Sequence, residues 1–471
     1  MNSKRPKSSH SKQAPPNEPH CPSPSLPPEI IREILGHFDL SRCNPNSNHD
    51  ESLRDPDVVL DLMAVSMVCR EWYNVAHSMI PYKDLRDPFR PRNDAAHSID
   101  QPWDLRIQRF AALLVTAYKL DIPYHKPIRI LPVSLSTQAD FKVREAILGI
   151  LRLTKPNRLQ ISVTEETSRI TRSRVSERRR FLAAMAKHIT SISHLEMVFP
   201  GPKGTRNARK PPADDPHLAD LIEDMQPSLL TIQLRNNPDA KTQSALSSCT
   251  KVRSASFKCC EVRIAATILR GLSQLCDLYL SNMMGPGMEH LLMGLSSECV
   301  QLETIHIANT AQIQRIQSAE DTLRLASALQ TLLARSERLK YLDLISLSYV
   351  NDDVLRTTAQ SCRDLRSMIM SSYDDRTLTG AEVWTAETSP WLKLKYMCFP
   401  SHCLVPGFVE QLVKECPSLS GICLSKRFAE DPTATEMLER HGFQRRDGSM
   451  NSWKNERPKY FDGVREIHRI F

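Results

Sequence analysis

The side chains best equipped for chemistry in this chain are thirteen cysteines, fifteen histidines and one dense run of arginines. Thiols and imidazoles at short spacing hold metals or act as nucleophiles, and zinc sites are marked by Cys-x-x-Cys steps. The sequence contains no such step. Cys398, His402 and Cys403 are near neighbours, but Cys398 falls between Met397 and Phe399 in a strand-like segment and must point away from both. Cys259 and Cys260 are adjacent, and adjacent strand residues face opposite ways, so they are not expected to act as a redox pair. Asp374-Asp375 reads as solvated loop carboxylates, and Gly285-Pro286-Gly287 as a turn rather than a phosphate-cradling loop. Glycine is sparse (14) beside proline (32), which leaves few places where backbone can approach a phosphate closely. The expectation is a protein that is not an enzyme, with no catalytic residues, no cofactor and no metal.

The arginine run is the strongest rival signal. Arg169, Arg172, Arg174, Arg178, Arg179 and Arg180, broken by Glu177, have the charge to grip a phosphate group or an acidic peptide. No aromatic ring is interleaved before Phe181, so bases have no stacking platform, and the segment reads as a solvated helix face. The net charge of +8 on 471 residues is modest, and nucleic acid is not an expected partner.

Four of the cysteines recur in a pattern instead of a cluster. An apolar residue, two others, an apolar, one other and a further apolar residue appear at Leu275-Leu278-Leu280 and Leu302-Ile305-Ile307. The same spacing is found at Leu339-Leu342-Leu344, Leu365-Met368-Met370, Leu394-Met397-Phe399 and Leu419-Ile422-Leu424, with weaker copies beginning at Leu195, Leu229 and Val252. Starts are 23 to 37 residues apart, the range of leucine-rich repeats. The last two apolar positions alternate, so they share one face of a short strand. The return segments carry helical spacing, as in Met288-Leu291-Leu292-Leu295 and Leu325-Leu329-Leu332-Leu333. No unit buries its apolar face alone; stacking builds a continuous core. Cys249, Cys299, Cys362 and Cys416 each stand three residues before a start, and Ser336 takes that place before Leu339. A small, weakly hydrogen-bonding thiol suits the end of a packed helix. These repeats resemble the cysteine-containing subclass of leucine-rich repeats, most closely over residues 349–365.

The elements ahead of the repeats are helical. Residues 1–25 are polar and Pro-rich and read as a disordered tail, in which Lys4-Arg5-Pro6-Lys7 has the composition of a nuclear-import signal. From Leu26 the spacing predicts a helix carrying Ile30, Ile31, Ile34, Leu35 and Phe38, then a polar loop over 41–57. A second helix comes next with Val58, Val59, Leu62, Met63, Val65 and Val68, and a third with Trp72, Tyr73, Val75 and Ala76. Four apolar residues on the first helix cannot all face one small core, which implies a helix-binding partner or, alternatively, packing against the repeat array. Residues 107–118 and 141–153 read as helices, and 128–131 and 159–163 as strands; 203–210 reads as an exposed basic loop. The expected organisation is a tail at 1–25, a helical module at 26–85, a connecting region with irregular first repeats at 86–190, repeats at 191–424, and a C-terminal cap and tail at 425–471. The odd cysteine count and the absence of an apolar leader point to a reducing compartment, cytoplasmic or nuclear, and the apolar stretch at 110–118 is too short to cross a bilayer.

Leu26-Pro27-Pro28-Glu29-Ile30-Ile31-Arg32-Glu33-Ile34-Leu35, then Val65-Ser66-Met67-Val68-Cys69-Arg70-Glu71-Trp72, resembles an F-box. The departure from that family is the long polar insert at 41–57, and lengthening a loop costs little entropy. The resemblance implies an α/β fold: an N-terminal three-helix F-box followed by a leucine-rich-repeat solenoid, or horseshoe. It further implies a substrate receptor of a cullin-type ubiquitin ligase, whose F-box binds a Skp-type adaptor and, through it, a cullin. The matching adaptor-binding positions are Leu26, Pro27, Ile30, Ile31, Leu35, Val65, Val68, Cys69 and Trp72, with Trp72 serving either the adaptor or the module's own core. The repeats would hold an unidentified protein substrate. The rival expectations are a ligase-independent scaffold and a phospho-ligand or nucleic-acid binder using the arginine run.

Overall fold

The computed structural model describes residues 26–40, 56–79, 103–135, 141–163, 172–201, 216–299, 301–309, 319–372, 377–380, 383–384, 391–401, 403–445 and 452–455. The expected tail at 1–25 with its Lys4-Arg5-Pro6-Lys7 run, residues 41–55, the segment 203–210, Asp374-Asp375 and Arg169 lie outside the described residues.

Three helices come first: α1 (Pro28–Leu40), α2 (Pro56–Ser66) and α3 (Arg70–Met79). Proline at Pro28 pre-sets the backbone of a first helical position, and Glu29 faces the positive end of α1. Helix α2 starts two residues inside the stretch expected as a loop, because Pro56 is as well suited to a first helical position as Pro28 is. After α4 (Trp103–Lys119) strands and helices alternate: β1 (Ile130–Ser134), α5 (Phe141–Leu153), β2 (Arg158–Ser162), α6 (Arg172–Ala186), β3 (His194–Val198), α7 (Pro216–Met225) and β4 (Thr231–Arg235). The alternation continues with α8 (Ala240–Ser247), β5 (Ser254–Lys258), α9 (Val262–Leu269), β6 (Asp277–Ser281), α10 (Met288–Glu298), β7 (Thr304–Ala308), α11 (Ala319–Arg335), β8 (Tyr341–Ile345), α12 (Asp352–Ser361) and β9 (Ser367–Met370). Shorter elements finish the chain: β10 (Thr377–Leu378), β11 (Tyr396–Cys398), β12 (Cys403–Leu404), α13 (Pro406–Glu415), β13 (Gly421–Cys423), α14 (Lys426–Ala429), α15 (Pro432–Arg440), β14 (Phe443–Arg445) and β15 (Ser452–Asn455).

Among the described residues one sheet has the order β1-β2-β3-β4-β5-β6-β7-β8-β9-β11-β13-β15-β14, and β10 pairs with β12 separately. From β1 to β13 every neighbouring pair is parallel and in register: Leu278 lies beside Ile305, Ile305 beside Leu342, Leu342 beside Met368, Met368 beside Met397 and Met397 beside Ile422. The fold is thus mixed α/β, with parallel strands alternating with helices in the manner of a repeat solenoid. Alternation along each strand agrees with the expected pattern: Leu278 and Leu280 are fully buried, while Asp277, Tyr279 and Ser281 turn to the other face.

The register corrects one reading of the repeat. In β3 the buried pair is Leu195 and Met197, so that unit starts at Ile192, three residues before the copy placed at Leu195; Ile192 is fully buried, and the ladder aligns Leu195 with Ile232. The sheet begins at Ile130, inside the 86–190 region where irregular first repeats were expected. Ile128-Leu131-Val133 is a full copy of the pattern, with all three side chains buried, and the strand runs over 130–134 where 128–131 was expected. The second early strand occupies 158–162, one residue ahead of the expected 159–163.

The four patterned cysteines sit where helices end. Cys299, Cys362 and Cys416 are the C-cap residues of α10, α12 and α13, and Cys249 comes directly after the C-cap of α8. All are at most 3% exposed, and burial pushes their thiols up to about 11 for Cys249 and Cys299 and about 12 for Cys362 and Cys416. Ser336, in the equivalent place, is buried and donates its hydroxyl to the Leu332 carbonyl at 2.8 Å.

The two faces of a strand should respond unequally to truncation. Phe257 in β5 is fully buried, so Phe257→Ala is expected to cost about 3–5 kcal/mol. Ser256→Ala, one residue away on the open face, should stay within about 0.5 kcal/mol, as measured by urea or guanidinium unfolding.

Candidate functional site

Two surfaces have the features of a recognition site. The first is on the opening helices. Ile31 and Leu35, four residues apart on α1, are fully buried against a core that includes Val59, Leu60, Leu62 and Met63 of α2 and Val75 and Ala76 of α3. Leu26, Ile30 and Ile34, also spaced by four, are 41%, 41% and 36% exposed. Ile30 and Ile34 form an apolar stripe on the adjoining face of the same helix, and Leu26 stands just ahead of its first turn. In the turn between α2 and α3, Val68 is 68% exposed, and the Cys69 thiol donates to the Glu71 carboxylate at 3.0 Å, which holds that carboxyl below its usual range. Pro27 is exposed at the mouth of α1.

The residues singled out from sequence therefore divide. Leu26, Pro27, Ile30, Val68 and Cys69 lie on the surface, Val65 and Trp72 are half-buried against the core, and Ile31 and Leu35 are inside it. Ile31 and Leu35 hold the helices together and present no surface to a partner while the module is folded. Ile34 is outside that set although it completes the stripe, and the step of four from Leu26 through Ile30 is the signal that marks it.

Specific contacts fix the three helices to the start of the solenoid. The Tyr124 hydroxyl donates to Ser66 Oγ at 2.7 Å, and Ser66 donates in turn to the Met63 carbonyl at 2.7 Å. Tyr124 is 1% exposed, and burial pushes its phenol up to about 12. The His77 ring stacks on Tyr73 at 5.0 Å and lies against Tyr124 at 5.6 Å, while Arg109 of α4 pairs with Asp61 of α2.

The second surface is the sheet face turned away from the helices. The register lines up one residue from each of eleven neighbouring strands, β2 to β15 along the sheet: Gln160, Glu196, Gln233, Ser256, Tyr279, His306, Asp343, Ile369, Cys398, Cys423 and Ser452. Near its start Glu196 accepts from Arg158 at 2.7 Å and from Gln160 at 2.9 Å, and Arg158 also reaches Gln233 at 3.3 Å. At its middle His306 meets Asp343 at 3.3 Å, each side chain only about one-tenth exposed, and the Tyr279 ring lies 6.0 Å from that of His306. Burial raises the Asp277 carboxyl above its usual range and the Tyr279 phenol to about 12, and Thr304 hydrogen-bonds to both. Burial, then the Arg158 charge, lowers His194. The face offers oriented donors, acceptors and rings, which is the chemistry of holding a polar ligand.

The remaining sequence candidates are dispersed. Cys398 does point away from buried Met397 and Phe399, while His402 lies outside the described residues. Among the described residues no group of three or more His, Cys, Asp or Glu is placed to hold a metal ion. Cys260 is fully buried and donates to the Asn236 carbonyl at 3.0 Å, whereas Cys259 is part-exposed in a left-handed backbone conformation (φ 55°). Gly285 (φ 81°) and Gly287 (φ 98°) form the turn into α10, and Gly287 is that helix's N-cap. Arg178, Arg179 and Arg180 belong to α6, where Arg179 and Arg180 are exposed and Glu177 pairs with Arg144 at 3.2 Å. No described helix is long and apolar enough to cross a membrane.

No protein-family model matches the chain, and no curated protein matches it in sequence. Among solved structures it is similar to one described as a complex of Rad7 and Elc1 in yeast, at 12% identity over 79% of this chain and 94% of that one, with a TM-score of 0.34. It is also similar to a protein from Bacteroides fragilis, at 12% identity over 69% of this chain and 84% of that one, with a TM-score of 0.32.

The two sides of α1 can be told apart by stability. Ile31→Ala is expected to destabilise by about 2–5 kcal/mol, whereas Ile34→Ala should change stability by less than about 1 kcal/mol. Denaturant melts monitored by circular dichroism measure both.

Proposed function

We propose that this protein is a substrate receptor of a cullin-type ubiquitin ligase: the N-terminal helices form an F-box that engages a Skp-type adaptor, and the repeat solenoid holds a protein target. The observation that carries this reading is the apolar set Leu26, Ile30 and Ile34, exposed at the start of a helix whose adjoining face is already satisfied by buried Ile31 and Leu35. Exposed apolar residues at helical spacing fit a partner that packs helix against helix. The F-box resemblance of residues 26–35 and 65–72 assigns that partner to the adaptor class. The open sheet face, with its row of oriented polar side chains, suits the target.

In this role the chain contributes no catalytic group. It acts by proximity, holding the target beside a ubiquitin-charged enzyme brought by the cullin and so raising the effective concentration of a target amine. The close contact of Tyr124 with Ser66 and His77 serves the same end, because it fixes the adaptor-facing helices relative to the target-facing strands.

Co-expression with a Skp-type adaptor, then affinity purification, tests the reading. A stoichiometric complex is expected. The Ile30→Lys/Ile34→Lys variant, which leaves the buried side of α1 intact, should weaken it by more than about tenfold. A folded, soluble protein that captures no adaptor, or a complex indifferent to that variant, would sink the proposal.

A further inference from the structure

We propose that Cys398 and Cys423 are a thiol modification site on the open sheet face, where low-molecular-weight disulfides convert them reversibly into a disulfide that joins β11 to β13. The inference does not depend on the adaptor reading. The two residues are direct partners in the parallel ladder. Partner residues on adjacent strands lie about 4.8 Å apart, inside the Cα separation of about 4.4–6.8 Å that a disulfide spans. Both side chains leave the sheet on the same face, because each is the residue between two inward apolar ones, Met397 and Phe399 for Cys398 and Ile422 and Leu424 for Cys423.

Their surroundings are unequal in a way that suits exchange. Cys398 is buried, whereas Cys423 is part-exposed. The Cys398 thiol donates a hydrogen bond to Cys423, and Ser452, the ladder partner of Cys423 on β15, adds another. These bonds hold the Cys423 thiol below its usual range. The bond to Cys423 and burial push Cys398 up. Cys423, the more accessible of the two, is the attacking thiol and Cys398 the resolving one. The Cys423 thiolate attacks one sulfur of the small disulfide and expels a thiolate. Cys398 then loses its proton and its sulfur attacks the Cys423 sulfur, expelling the second thiolate. Two protein thiols lose two electrons and two protons, and the small disulfide is reduced to two thiols.

The position gives the bond a consequence. Strands β1 to β8 have five residues each, but β11 and β13 pair through only three. A covalent link there joins two strands in the thin last part of the ladder, where β9–β11 and β13–β15 likewise pair through three residues. The other described thiols are less well placed. Cys249, Cys299, Cys362 and Cys416 are buried at helix ends, and Cys260 is fully buried, with burial raising its thiol to about 12.

The test treats the folded full-length protein with oxidised glutathione, quenches with N-ethylmaleimide and maps the thiols by mass spectrometry. Trypsin leaves Cys398 with Cys403 and Cys416 with Cys423, so fragmentation of the linked peptides assigns the bond. The expected result is a Cys398–Cys423 link as the dominant internal disulfide, removed by dithiothreitol. In Cys398→Ser, Cys423 should accumulate as the mixed disulfide with glutathione; in Cys423→Ser, Cys398 should stay reduced. The proposal is overturned if wild-type Cys398 and Cys423 are recovered alkylated while exposed Cys69 carries glutathione. Links spread over many cysteines would overturn it equally. The wild-type map decides the matter even where a serine variant folds poorly.

Discussion

The in-register hydrogen-bond ladder between successive units is the constraint on which the rest of the structure depends. It continues past the strand ends: Arg253 donates to Leu230, Cys276 to Arg253, Glu303 to Cys276, Lys340 to Glu303 and Arg366 to Lys340, at 2.7–2.8 Å. A slip of one residue between two units would put Tyr279 where Leu278 packs and expose the leucine, an error repeated across the whole strand. The core column running through Leu278, Ile305, Leu342, Met368 and Met397 is therefore locked to apolar residues, and the alternate column is released from that demand. The identity of Glu196, Tyr279, His306 or Cys423 is free to serve recognition or reactivity because its inward neighbours do the holding.

A ladder of this kind has two raw ends, and the chain treats them differently. Among the described residues β1 is the edge strand at one end, and its middle residue is Pro132, which has no backbone donor to offer a further strand. At the other end the parallel run stops at β13, where β15 and β14 add antiparallel. The chain passes through α14 and α15 before β14 and β15 turn back on each other, so it is β15, the last strand, that lies against β13.

The middle of the array is plain in the sequence, because Leu275-Leu278-Leu280 and its successors repeat the strand period inside the longer repeat period. The early units are not. Pro132 and Pro156 interrupt the apolar pattern at Ile128-Leu131-Val133 and ahead of Leu159 and Ile161, and Leu195 imitates a start because the true one, Ile192, lies only three residues earlier. The division of α1 into a buried and an exposed side is implied by having four apolar residues on one helix. Which of Ile30, Ile31, Ile34 and Leu35 goes inside depends on the positions of α2 and α3. The pairing of Cys398 with Cys423 does have a signal in the sequence: aligned on Leu394-Met397-Phe399 and Leu419-Ile422-Leu424, the two cysteines occupy the same place in consecutive repeats.

Cysteine shows how far position, not residue type, decides chemistry here. At a helix end the thiol is a small apolar plug: Cys362, buried with its S–H toward the Leu333 carbonyl at 3.7 Å, is replaced in the neighbouring unit by Ser336, which makes a shorter bond to Leu332. After a strand, Cys260 gives its hydrogen to the Asn236 carbonyl of the preceding unit and tethers two repeats through a side chain instead of the backbone. Both kinds are removed from solvent, and the thiolate form is disfavoured by desolvation. On the open face the same side chain meets its own kind across the ladder. Cys398 is buried there and Cys423 part-exposed, while the inward positions on either side are occupied by Met397, Phe399, Ile422 and Leu424. Two thiols in register satisfy a different requirement, which is that each have the other within reach.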